Sequence, residues 1–129
     1  MTAINFKREI ADTFDHTIER ATKALGAEGF GILTRIDMHG KIKEKTGKDI
    51  IPTVILGACN PMLAYEAYTA NSDVASLLPC NAVIREIAPG KISLEFIKPT
   101  AMMQILGDAR LAELAREADA KIERALSSV

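Results

Sequence analysis

Apolar and polar positions along this chain recur with periods that switch between two and about 3.6, and each switch marks an expected element. Ile4, Phe6 and Ile10 hold even positions while Lys7 falls on an odd one, which predicts a short half-buried strand. Phe14, Ile18, Ala21 and Leu25 then step by four, three and four onto one helical face, with Asp15, Glu19, Arg20 and Lys23 elsewhere. Gly26 or Gly29 can supply the left-handed residue that ends this helix. Phe30, Ile32, Ile36 and Met38 alternate with Gly31, Leu33, Arg35 and Asp37, so residues 30 to 38 predict a strand with one partly polar face. HGKIKEKTGK reads as a solvated segment able to form a turn or two of helix around Ile42 before Gly47 stops it.

Residues 51 to 59, IPTVILGAC, are apolar on both parities. That is the pattern of a strand covered on both faces, which places it at the sheet centre. Asn60 and Pro61 break the run, and Met62, Leu63, Tyr65, Glu66 and Ala67 predict a helix, followed by a shorter one from Ser72 or Asp73 to Leu78. Val83, Ile84 and Ile87 lead through Pro89-Gly90 to Ile92, Leu94 and Phe96, the signature of a hairpin. A last helical pattern, from Ala101 or Asp108 to Leu126, puts Leu111, Leu114, Ala118, Ile122 and Ala125 on one face, with Glu117 and Lys121 an expected ion pair outside it. With no repeat or linker in between, the expectation is one two-layer α+β domain over residues 1–129. Its sheet is mostly antiparallel, of about five strands, packed with helices that include a long C-terminal one.

Composition narrows the partners. The chain has 129 residues, the length of one ordinary domain, and 16 Lys and Arg against 17 Asp and Glu. That near balance supplies no single-sign field for nucleic acid or an anionic membrane. MTAINFKREIAD brings charges early and lacks a secretory h-region, and the longest nearly apolar stretch, Ile50 to Cys59, is about half a membrane span. A cytoplasmic protein without nucleic-acid or membrane partners is expected. Cys59 and Cys80 form no C-x-x-C, and His16 and His39 sit at no zinc-finger spacing, so a four-ligand zinc site is not expected and both sulfurs should be free thiols. G-x-S-x-G, Walker and G-x-G-x-x-G patterns are all absent, and neither a cofactor nor a catalytic residue is assigned.

The candidate chemistry gathers at LGACNPMLAYEAY, residues 56–68. Proline does least harm at a first helical position, and asparagine before it is a natural N-cap, so Asn60 and Pro61 predict a strand-to-helix switch. Cys59 then sits one residue before a helix start, where a thiolate or a bound anion is favoured. The same residue also reads as a small apolar group ending a buried strand, as does Cys80 after Pro79. If the strands ending at Met38 and Cys59 run parallel, His39 and Cys59 emerge at one sheet edge and a thiol–imidazole pair becomes possible. Glu66, between Tyr65 and Tyr68, and Asp37, on a strand, complete the candidate ligand-binding set of Cys59, Asn60, Cys80, His39, Asp37 and Glu66. Met102, Met103, Ile105 and Leu106 form an apolar cluster read as core or as a subunit contact.

GFGILTRIDMHGKIKEKTGKDIIP, ILGACNPMLAYEA and LLPCNAV, in this order and spacing, resemble the bacterial and archaeal domain of unknown function family 302. Cys59, Asn60, Pro61, Ala64, Leu78, Pro79, Cys80 and Asn81 match the family's pattern, as do Gly29, Phe30, Gly31, Thr34 and Asp37. The chain departs from it at Arg35, where relatives often carry an acid, at Thr53, where they carry an aromatic, and at Lys98-Pro99, in place of Asp-Pro. The resemblance implies a compact α+β fold, a homodimer and no established reaction. The leading functional reading is a module that holds a small anionic or thiol-bearing ligand at the Cys59–Asn60 helix start. The alternatives are an interaction domain without a small-molecule site and a thiol enzyme or sulfur-transfer protein using Cys59.

Overall fold

The N-terminal alternation becomes β1 (Asn5–Ala11), and the four-three-four stepping becomes α1 (Phe14–Ala27). The remaining elements, in a computed structural model that describes residues 3–129, are β2 (Gly31–Asp37), α2 (Met38–Thr46), β3 (Thr53–Cys59), α3 (Pro61–Ala70), a 3₁₀ turn (Ser72–Leu77), β4 (Cys80–Ala88), β5 (Lys91–Ile97), α4 (Pro99–Met103), a second 3₁₀ turn (Ala109–Leu111) and α5 (Ala112–Ser127). The strands form one sheet in the order β1-β5-β4-β3-β2, and every pairing is antiparallel. The α+β class, the five strands and the long C-terminal helix are as the periodicities predict.

The helical layer covers one face. Ile10, Val54, Leu56, Ala82, Ile84, Ile92, Leu94 and Phe96 point into it and are buried together with Ile18, Ala21 and Leu25 of α1 and Ile122 and Ala125 of α5. Strand residues of the opposite face are half-buried or exposed, apart from Thr53, Gly57 and Glu95. Glu95, 3% exposed, is an acid in an otherwise hidden position. Its carboxylate accepts hydrogen bonds from Arg85 Nη1 at 2.6 Å, Ser93 Oγ at 3.3 Å and Asn5 Nδ2 at 3.5 Å, with Lys7 Nζ at 3.8 Å. This dense set of donors offsets the loss of hydration.

Two expectations about β3 are corrected. It is not central: β4 is, because the tight turn after Ala88 lays β5 on one side of β4 while β3 pairs on the other. The two-sided apolar pattern of β3 has local causes. Gly57 is covered by Pro79 and Thr34, and Thr53 lies against His39. A methyl group added to Gly57 would come within 2.8 Å of the Pro79 ring, so this position has no room for a side chain. Nor do β2 and β3 run parallel. α2 turns the chain back, so Asp37 pairs with Val54 and Gly31 with Cys59. The edge strand β2 carries a bulge at Leu33, 64% exposed, which interrupts its pairing register with β3.

The last helical pattern divides into α4, the 3₁₀ turn and α5. Met102 is core, Met103 and Leu106 are partly buried, and Ile105 is 73% exposed, so the methionine-rich cluster is split between core and surface. Asp119 of α5 accepts from the Thr100 backbone N–H at 3.1 Å and from its hydroxyl at 2.7 Å, tying α4 to α5.

Candidate functional site

β3 ends at Cys59, and α3 starts as the residues at 60 and 61 demand. Asn60 is extended, its side-chain oxygen accepts from the Leu63 backbone N–H at 3.2 Å, and Pro61 takes the first helical position. The Asn60 amide also donates to the Glu28 carbonyl at 3.3 Å. Gly29, at φ +86°, passes directly beneath it: a Cβ there would lie 3.0 Å from the Asn60 amide nitrogen. Glycine at 29 therefore serves both the left-handed backbone and this close approach. The strand-to-helix switch is thus anchored to the end of α1.

Behind the switch lies a cavity of about 50 Å³ that opens to solvent at its mouth. The end of the sheet supplies Phe30, Ala58, Cys59 and Cys80. On one side stand Leu63, Ala64 and Ala67 of α3, and on the other Leu114, Ala115 and Ala118 of α5. Val74, Leu111 and Met103 close the far end. The cavity exists because alanine faces alanine where α3 approaches α5, and methyl groups do not fill the space between two helix backbones. It also follows a seam between two hydrophobic clusters. Phe30, Ala58, Cys80 and Ala118 belong to the main core, while Ala67, Val74 and Leu111 form a satellite beneath α3 and the 3₁₀ turns.

The satellite is fastened by polar contacts at its rim. Asn71 ends α3 and donates to Asp108 at 3.1 Å, and Asp108 caps the second 3₁₀ turn while accepting from Arg110. The Arg110 guanidinium, with its backbone N–H, holds the Asp108 carboxyl well below the usual carboxylate range.

Both thiols border the cavity and both are free. Burial pushes the Cys59 thiol up, and Cys80 is pushed up to about 12 by burial, by Cys59 and by Asp119, in that order. Neither sulfur is ionised near neutral pH. The anion-stabilising effect expected of the helix start is outweighed at Cys59 by loss of hydration.

Of the six candidate residues, the structure brings Cys59, Asn60 and Cys80 to one cavity and leaves the other three outside it. His39 and Asp37 are at the opposite end of β3. His39 Nδ1 accepts from the Thr53 backbone N–H at 2.9 Å, and its ring meets Phe14 edge-on at 6.2 Å. Thr53 to Cys59 is a full strand length, roughly 20 Å at about 3.3 Å per residue, so the thiol–imidazole pair does not form. The reversal through α2 is the reason. Glu66 points away from the cavity on the exposed side of α3. Sequence reasoning marked Ala64 only as a position of the family's pattern, read Ala67 only as helix and Ala118 only as one helical face, and passed over Ala115; the available signal was the recurrence of small residues at positions three apart on two facing helices. It also paired Glu117 with Lys121, yet among the described residues Lys121, half-buried beside the cavity, has no carboxylate within 4 Å. Among the described residues no cluster of three or more His, Cys, Asp or Glu could hold a metal ion, and no helix is long and apolar enough to cross a membrane.

A family profile described as "Domain of unknown function DUF302" matches residues 6–129. The chain belongs to the DUF302 family. A crystal structure of an uncharacterized conserved DUF302 protein from Bacillus stearothermophilus superposes with a TM-score of 0.91 at 30% identity, covering 98% of each chain. No curated protein matches the chain. The match spans all five strands and the C-terminal helix, so the elements that build the cavity lie within the DUF302 region.

Proposed function

We propose that this DUF302 chain binds a small organic molecule whose buried part is apolar, in the slot between α3 and α5. The observation that carries the reading is chemical uniformity: alanine, leucine, methionine and phenylalanine side chains line the slot, with two protonated thiols among them. Asn60 already spends its side chain on Leu63 and Glu28, and among the described residues no buried side-chain nitrogen or oxygen lacks a partner. A ligand entering the slot would therefore gain from burying hydrocarbon and would meet no unpaired polar group. This favours binding over thiol chemistry, for which Cys59 lacks both a lowered pKa and a nearby base. Titration with the neutral dye Nile red is the test. Saturable, equimolar binding with a blue-shifted emission is expected, and a signal that never saturates would remove the reading.

A second reading concerns self-association, and the open face of the sheet favours it. Ile36, Ile55 and Val83 lie in one row across β2, β3 and β4, with Glu95 continuing the row on β5. Five strands of about seven residues make a face of roughly 24 by 23 Å. That area is near the lower end of what one partner contributes to a stable interface. The occupant we propose is a second copy of this chain, placed so that the apolar rows meet. Light scattering at micromolar concentration should give twice the chain mass for the protein and the chain mass for Ile55→Lys. A monomeric wild-type protein would rule this out.

A further inference from the structure

Resting on the proposal that the slot binds a small molecule, we infer that the ligand is an amphipathic organic anion, an aliphatic body carrying a carboxylate head. Asn60 and Leu63 stand at the border of the slot. These two residues also line an outer groove with Glu28, Met62, Glu117 and Lys121. A molecule seated among the alanines would emerge at this point, and this is where charged groups first appear. They are not equivalent. Glu28 is neutralised by Arg124 at 3.0 Å, and Glu117 is exposed. Of the charged groups lining this groove, Lys121 is half-buried and, among the described residues, has no opposite charge within 4 Å; it lies one turn beyond the cavity-lining Ala118 on the same face of α5.

A cation that loses hydration and gains no counter-charge is the poorest-matched polar group at this mouth, and a ligand carboxylate is its complement. The inner slot excludes the opposite orientation. Two thiols held protonated by burial offer an anion only weak S–H donors and no positive charge, so the charged end stays outside and the hydrocarbon goes in.

The experiment is displacement of Nile red by straight-chain carboxylates of six to twelve carbons and by the alcohols of matching length, on the wild-type protein, Lys121→Met and Lys121→Arg. Each added methylene should tighten binding about fourfold until the slot is full, since burying one is worth about 0.8 kcal/mol. Carboxylates should outbind the matching alcohols on the wild-type protein. Lys121→Met should weaken carboxylates about two- to fivefold, leave the alcohols unchanged, and be rescued by Lys121→Arg. Alcohols binding as well as carboxylates, or Lys121→Met weakening both alike, would overturn the inference while leaving an apolar binding slot in place. Dye that fails to saturate the wild-type protein would instead remove the slot reading itself.

Discussion

Phe96→Ala is expected to cost about 3–5 kcal/mol of stability, enough to leave the protein close to its unfolding threshold. Phe96 has no exposed surface and lies on β5 between β1 and β4, so its ring is enclosed by the sheet and by the helical layer. It meets Phe30 edge-to-face with centroids 6.1 Å apart, and Phe30 in turn forms part of the cavity wall. Truncation removes both the buried area and the aromatic pair, and the surrounding strands cannot collapse into the space without breaking their register. Urea unfolding measures the effect through the midpoint at unchanged slope. A loss below about 1 kcal/mol would mean that the core is not organised around this ring.

Alkaline pH should destabilise the protein through Cys80. The thiol is 8% exposed and its pKa is pushed up to about 12, whereas an unfolded cysteine titrates near 8.5. Folding therefore favours the protonated form. The native state keeps a proton that the unfolded state has released, so stability is full below about pH 8.5 and falls as pH rises toward 12. Between about pH 8.5 and 10.5 the loss from this one group is on the order of 2 kcal/mol. Other groups titrate in the same range, so the quantity to read is the difference between wild type and Cys80→Ala. The variant should start slightly less stable at pH 7 and lose less as pH rises. Parallel curves for the two proteins would show that Cys80 ionises in the native state as freely as in the unfolded chain.

Local features of the fold were legible because neighbouring residues decide them. The stepping of Phe14, Ile18, Ala21 and Leu25 defines α1, and Asn60 with Pro61 sets the start of α3 through side-chain capping and a fixed φ. Pro89-Gly90 likewise placed the β4–β5 hairpin. What escaped the sequence depends on segments far apart in the chain. A connection such as that from Met38 to Pro52 is compatible with a parallel crossover or an antiparallel return, and that choice moved His39 and Asp37 to the far end of β3 from Cys59. The rank of β3 in the sheet escaped for a similar reason, since Pro79 and His39 cover it without its being central. The cavity was half legible. Cys59, Asn60 and Cys80 were marked by their motif, whereas the alanines that leave the space open are ordinary helix residues until α3 and α5 are seen side by side.

The claim on which the functional account rests is that this space between α3 and α5 is a binding slot and not a packing gap. Its most direct measurement is the Nile red titration repeated on Ala118→Leu, which fills the slot from α5, and on Ala64→Leu, which fills it from the half-buried side of α3 should the first variant not fold. The account expects dye affinity to fall at least tenfold in a variant that keeps its cooperative unfolding transition. Dye bound equally well by a folded, slot-filled variant would contradict it.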